Sequence, residues 1–82
     1  MFIQTEQTPN PQTLKFLPGK VIMKNGTAFF QNIEDAKDSP FAKRLFTVQG
    51  IEGVFFGSDF ITITKSHDLD WDVLKPLVLG SI

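Results

Sequence analysis

The chain has 82 residues, a formal net charge of -1, no cysteine and no dense cluster of its eight basic residues. This length allows one domain with a single modest core, and without disulfides the hydrophobic residues, nine of them phenylalanine, must supply the stability. The scattered basic residues argue against a nucleic-acid partner, and the absence of a targeting peptide or a long apolar run predicts a soluble, intracellular protein without a membrane partner.

The N-terminal third predicts two strands joined by a stiff corner. Phe2–Glu6 alternates apolar and polar residues, and Thr13–Leu17 does the same. Between them lies Thr8-Pro9-Asn10-Pro11, here called the proline corner, in which two prolines restrict the backbone and Asn10 can form an Asx-turn. On physical grounds alone this segment is a structural turn.

The next segment carries the strongest hairpin signal in the chain. Val21–Met23 and Thr27–Phe30 flank Asn25-Gly26, and we expect these two runs to pair around that turn. The same asparagine begins a glycosylation sequon, but nothing else in the chain suggests secretion. The polar stretch Gln31–Asp38 is expected to be a loop.

A first helix is predicted to begin at Ser39-Pro40. Ser39 can serve as N-cap while Pro40 takes the first helical position, where its missing N–H costs nothing. The helix is expected to reach about Thr47 and to end near Gly50. Its apolar face comprises Phe41, Ala42, Leu45, Phe46 and Val48.

The C-terminal third predicts a strand pair and a second helix. Val54–Phe56 and Phe60–Thr64 flank a turn at Gly57-Ser58-Asp59. Asp70 can cap a last helix, in which Pro76 either introduces a kink or marks the true start. The apolar stripe of that helix comprises Trp71, Leu74, Leu77 and Val78.

The order of these elements predicts the fold class. Strands, a helix, strands and a helix follow one another through short links with no parallel crossover pattern. We therefore expect a two-layer α+β domain over residues 1–82, with a mainly antiparallel sheet and two helices on one face.

The chain offers few parts for catalysis or metal binding. Asp68-x-Asp70-x-Asp72 copies the start of a calcium loop, but the required glycine and glutamate are replaced by Val73 and Leu79. Acidic residues at a helix N-terminus are already explained by capping. We predict no catalytic residue, no metal ligand and no enzymatic activity.

Two phenylalanine pairs suggest an interaction surface. Adjacent strand residues point to opposite faces, so Phe29-Phe30 and Phe55-Phe56 cannot all lie under the helices. At least one ring of each pair, joined by Phe60 or Ile61, is expected on the open face, unless loops or the predicted hairpin cover it. The predicted interaction surface comprises Asn10, Lys15, Phe55 and Phe56.

The ordered set of motifs along the chain resembles the N-terminal domain of the Nfu family of iron-sulfur cluster scaffold and carrier proteins. The resemblance spans essentially the whole chain. Its motifs are Met1-Phe2-Ile3-Gln4-Thr5, Thr8-Pro9-Asn10-Pro11, Leu14-Lys15-Phe16, Pro18-Gly19, Ser39-Pro40, Leu45-Phe46, Val54-Phe55-Phe56-Gly57, Asp59-Phe60-Ile61-Thr62, Lys65, Trp71 and Leu74-Lys75-Pro76.

The resemblance implies a role in iron-sulfur protein maturation, in the bacterial cytoplasm or the mitochondrial matrix. In this family the cluster is held by a Cys-x-x-Cys motif in a separate C-terminal domain, so this chain is expected to bind no cofactor itself. The implied partners are cluster donors, recipient apoproteins and the protein's own C-terminal domain. The apolar end of the chain favours an excised domain over a freestanding short protein. A freestanding or self-associating interaction module is the alternative function.

Overall fold

The computed structural model describes residues 3–81 and contains five strands and two helices within them. In chain order the elements are β1 (Gln4–Gln7), β2 (Thr13–Leu17), β3 (Ala28–Phe30), α1 (Pro40–Phe46), β4 (Ile51–Phe56), β5 (Ile61–Lys65) and α2 (Trp71–Ser81). The part of the first predicted strand at Phe2 lies outside the described residues.

All four strand pairings are antiparallel, and the order across the sheet is β1-β2-β5-β4-β3. The strand pair β4–β5 has the predicted turn at Gly57-Ser58-Asp59, where the Gly57 N–H donates to the Phe60 carbonyl at 2.9 Å. The α1 cap is also as predicted, since Ser39 Oγ accepts from the Ala42 N–H and Pro40 is the first helical residue. Residues 31–38 form turns rather than a regular element.

Both helices pack on the same face of the sheet. Phe41 of α1 stacks on Phe56 with ring centroids 5.3 Å apart, and Trp71 of α2 forms a T-shaped pair with Phe16 with ring centroids 6.1 Å apart. Phe16 and Phe56 both pair with Ile61 in the sheet register, so their side chains share a face. The two-layer α+β prediction is therefore confirmed. The buried core comprises Leu14, Phe16, Ala36, Ala42, Leu45, Val48, Val54, Phe56, Ile61, Ile63, Leu74 and Val78.

The predicted hairpin around Asn25-Gly26 is wrong. The segment forms a bend in which Gly26 adopts a φ of +70°, but 21–23 is not a strand and β3 pairs with β4. The N–H groups of Ile22 and Met23 donate instead to the Ser58 carbonyl at 2.7 and 3.3 Å. Pairing with β4 brings aromatic rings together on both faces of the sheet, and that packing outweighs the local turn preference.

Two details of the helices also differ from the predictions. Gly50 does not end α1, because α1 ends at Phe46 with Thr47 as its C-cap. Of the two alternatives for Pro76, the position inside the helix is the one observed, because α2 begins at Trp71. Leu77 is 53% exposed and does not belong to the buried stripe.

Gly50 is required by its backbone and by its neighbour. Its φ is +100°, and a Cβ at this position would lie 2.2 Å from Leu69 Cδ1. We expect Gly50→Ala to lower the free energy of unfolding by about 1–3 kcal/mol through backbone strain, with a smaller added cost for displacing the end of the Leu69 side chain. Gly26→Ala is the matched control. Gly26 also has a positive φ, of +70°, but no atom lies within 4 Å of a Cβ added there. Urea unfolding of both variants measures the difference, and equal losses would contradict the collision.

Candidate interaction surface

One row of side chains crosses the sheet face that the helices leave uncovered. In the sheet, Glu6 lies opposite Lys15, Lys15 opposite Thr62, Thr62 opposite Phe55, and Phe55 opposite Phe29. Directly opposed residues in neighbouring strands lie on the same face, so the row takes one residue from each strand. Its β1 end is charged and its β3 end is aromatic.

The aromatic end of the row forms a contiguous patch of three phenylalanines. The Phe29 and Phe55 ring centroids are 6.4 Å apart, and Phe55 stacks on Phe60 at 6.0 Å. Phe29 is 58% exposed, while the other two rings are partly buried. Phe29, Phe55 and Phe60 are here called the aromatic patch. Of the two residues expected to extend it, Phe60 does so and Ile61 lies in the core.

Gly57 makes room for the Phe60 ring. A Cβ on Gly57 would lie 2.2 Å from Phe60 Cε1 and 2.3 Å from its Cζ, so the ring lies directly over the glycine backbone. No local sequence signal identifies this contact, because Gly57 is already explained as a turn residue.

Lys15 joins the charged and aromatic parts of the row. Its Nζ lies 4.6 Å from the Phe60 ring centroid and 3.6 Å from Glu6 Oε1. A partly exposed ion pair and a cation–π contact each contribute about 0.5–1 kcal/mol or less. These contacts therefore orient the ammonium group beside the aromatic patch without burying its charge.

The four predicted surface residues do not form one surface. Lys15 and Phe55 lie on the uncovered face, whereas Phe56 is 4% exposed and packs between Phe30 and Phe41 in the core. Burial removes Phe56 from any docking surface of this fold. Asn10 is exposed in the proline corner, which connects β1 to β2, and is not a member of the uncovered row.

Hydrogen bonds hold the proline corner rigid. Asn10 Oδ1 accepts from the Gln12 N–H at 3.0 Å, which is the predicted Asx-turn, and Thr8 Oγ1 bonds the Thr13 carbonyl at 2.9 Å. The Trp71 Nε1–H donates to the Pro11 carbonyl at 3.2 Å. The corner is thereby fastened to the start of α2.

The acidic residues Asp68, Asp70 and Asp72 lie around the start of α2. The main-chain carbonyl of Asp70 accepts from the Val73 and Leu74 N–H groups, as the carbonyl of any residue at this position would, so capping by the Asp70 carboxylate stays a prediction. A hydrogen bond from the Ser66 hydroxyl lowers the pKa of the exposed Asp68 carboxyl. Within residues 3–81 no three His, Cys, Asp or Glu side chains are grouped as metal ligands, and no helix is long and apolar enough to span a membrane.

The described residues form a five-stranded antiparallel sheet with two helices on one face, and comparison with known proteins identifies the class to which this two-layer α+β domain belongs. The model of the family described as "Scaffold protein Nfu/NifU N terminal" matches residues 3–82. The chain belongs to this family of Nfu N-terminal domains, which confirms the resemblance drawn from the motifs.

The relatives are longer proteins. The chain is 51% identical over 82 residues to "NifU-like protein 4, mitochondrial" of Arabidopsis thaliana, matching 100% of the chain and 29% of that protein. It is 49% identical over 83 residues to the human "NFU1 iron-sulfur cluster scaffold homolog, mitochondrial", matching 100% of the chain and 33% of the relative. It thus spans about a third of these relatives.

Among solved structures, the solution structure of a NifU-like protein from Saccharomyces cerevisiae aligns with a TM-score of 0.84 and 28% identity. That alignment covers 98% of this chain and 73% of the yeast chain in that structure.

Phe55 and Phe56 are adjacent in sequence, but Phe55 lies on the uncovered face and Phe56 in the core, so their substitutions should differ in cost. We expect Phe56→Ser to cost about 3–5 kcal/mol of unfolding free energy because it empties a core site. Phe55→Ser should cost only about 1–2 kcal/mol, since it removes ring contacts on the uncovered face. Chemical denaturation of the two variants measures both losses. Equal destabilisation would show that Phe55 is a core residue and that the aromatic patch is not a surface.

Proposed function

We propose that this domain is a non-catalytic partner-recognition domain of an Nfu-type iron-sulfur cluster scaffold, and that it does not ligate the cluster. The observation that carries the proposal is the aromatic patch on the uncovered sheet face, with Phe29 58% exposed. Membership of the Nfu N-terminal family and homology to iron-sulfur scaffold proteins supply the biological setting.

The uncovered face has the features of a protein-docking surface. Aromatic rings bury a large apolar area on binding, and exposed apolar patches mark contact sites. Lys15, held beside Phe60, adds a positively charged rim that can meet a carboxylate of the partner. The partners in this proposal are the protein's own C-terminal cluster domain, cluster donors and recipient apoproteins.

The composition supports the absence of cluster ligation. Iron-sulfur clusters are held mainly by cysteine thiolates, and the 82 residues contain none. The proposal therefore assigns the cluster to a separate C-terminal domain bearing a Cys-x-x-Cys motif. It assigns the whole protein to the mitochondrial matrix or the bacterial cytoplasm, in keeping with the mitochondrial relatives.

Reconstitution with iron and sulfide tests the absence of cluster ligation. After desalting, the domain should be colourless, because it has no thiolate with which to retain the cluster. A Cys-x-x-Cys domain treated in the same way is the positive control for the procedure. A stoichiometric iron-sulfur absorbance on this domain would contradict the proposal.

A titration with the isolated cluster domain of an Nfu scaffold tests partner recognition. In NMR spectra of the labelled domain we expect shifts centred on Phe29, Phe55 and Phe60. Phe29→Ser should weaken binding at least about fivefold, since an exposed aromatic contact contributes about 1 kcal/mol or more. Leu77→Ser is the matched control, because Leu77 is a similarly exposed apolar residue on α2.

The alternative function gives a different result in the same experiments. If the domain self-associates through the aromatic patch, sedimentation velocity will show an oligomer that Phe29→Ser dissociates. If such an oligomer forms and the titration with the cluster domain causes no shifts, the domain is a self-associating module and the proposal of partner recognition in a cluster scaffold is wrong.

A further inference from the structure

A groove runs between the edge strand β1 and helix α2, on the helix-covered side of the sheet. Two adjoining cavities of about 540 and 660 Å³, the second of them shallow and open to solvent, share Thr5 and Lys75 and together make up its length. The groove is lined along β1 by Ile3, Thr5 and Gln7, and along α2 by Trp71, Lys75 and Leu79, with Asp72 also lining the first cavity and Glu6 the second. It lies on a different surface from the aromatic patch.

The two walls of the groove run in opposite directions along the chain. Gln7 and Trp71 line the first cavity, and Ile3 and Leu79 line the second. The hydrogen bond from Trp71 to the Pro11 carbonyl fixes the first end. Thr5 and Lys75 face the middle from both sides.

The β1 wall offers unpaired main-chain groups. Strand β1 is an edge of the sheet, and its only strand partner within residues 3–81 is β2. Alternate N–H and C=O groups of an edge strand point away from the sheet and can pair with another extended chain. The Gln-Thr-Glu-Gln sequence of β1 is polar, so this edge offers main-chain bonds without an apolar surface of its own.

The α2 wall has a spacing that matches an extended peptide. Trp71, Lys75 and Leu79 recur every four residues, which is about 6 Å along a helix. Side chains on one face of a strand recur every two residues, or about 6.6–6.8 Å. Three successive inward side chains of an added strand therefore align with these three helix residues.

Lys75 supplies the charge shared by both cavities, whereas Asp72 lines only the first, and Glu6, which lines only the second, is paired with Lys15. Lys75 is partly buried, and no carboxylate in the described part of the chain lies within 4.0 Å of its Nζ. The apolar portions of Trp71 and Leu79 lie on either side of it. An acidic side chain between two apolar ones would complement all three positions.

We propose that β1 and α2 bind an extended peptide segment that adds to β1 as a sixth strand. The segment has the pattern apolar-x-acidic-x-apolar, with its acidic side chain paired with Lys75 and its apolar side chains against Trp71 and Leu79. Main-chain hydrogen bonds to β1 supply affinity, and the α2 residues supply specificity. This inference goes beyond the proposed function and does not depend on the aromatic patch.

The test uses a capped nine-residue peptide with leucine at positions three and seven, glutamate at position five and threonine elsewhere. Titrated into the labelled 82-residue domain, it should shift the amides of residues 3–7 and of α2 in a saturable manner. Lys75→Glu should weaken binding at least tenfold and should favour the same peptide with lysine at position five. Lys43→Glu, at an exposed position of α1, is the matched charge control. It should change the affinity for neither the glutamate peptide nor the lysine peptide.

Further arms separate strand addition from other binding. Two peptides are compared, one N-methylated at the odd and one at the even backbone amides. The peptide whose methyl groups face β1 should not bind, because it cannot pair with the β1 edge, whereas the other should still bind. Phe29→Ser should leave the peptide affinity unchanged, which distinguishes this groove from the proposed partner surface. The inference is overturned if both methylated peptides bind as well as the parent peptide, if the shifts are confined to the aromatic patch, or if binding does not saturate at ~1 mM peptide.

Discussion

The pairing of β5 with both β2 and β4 is the constraint on which the rest of the structure depends. It joins the N-terminal hairpin to the C-terminal one across a long sequence separation, as shown by the Thr13–Thr64 hydroxyl bond between residues 51 positions apart. Because side chains alternate along a strand, this register determines which face each residue occupies in all five strands. A one-residue slip at β2 would bury Lys15 and expose Phe16. The uncovered row and the core are thus two results of the same pairing.

Local chemistry made several elements predictable from the sequence. Ser39 and Pro40 have strong preferences at a helix start, and the β-branched and aromatic residues around Gly57-Ser58-Asp59 favour a strand pair whatever surrounds them. The Asx-turn at Asn10 likewise depends only on neighbouring atoms. Such features do not require knowledge of the remote chain, so the sequence was sufficient for them.

Features that depend on remote partners were not predictable in the same way. The Asn25-Gly26 signal correctly indicated a change of chain direction, but the partner of β3 is chosen by the fit of Phe29 and Phe30 to β4. Because side chains alternate along a strand, one ring of the pair Phe55-Phe56 had to lie on the uncovered face, but the sequence did not indicate which one. The positions of Lys15 over Phe60 and of the groove beside β1 follow from sheet order, which no short motif contains.

The attachment of Trp71 to the proline corner also provides an optical probe within the molecule. Trp71 is the sole tryptophan, and its indole bonds Pro11 while its ring forms a T-shaped pair with Phe16. Indole fluorescence responds to polarity and hydrogen bonding around the ring, so its emission depends on whether the corner and α2 stay together. If α2 separates from the proline corner before the rest of the sheet unfolds, the tryptophan emission will therefore change before the strand signal in circular dichroism is lost. The native chain can thus report opening at one corner without an attached dye.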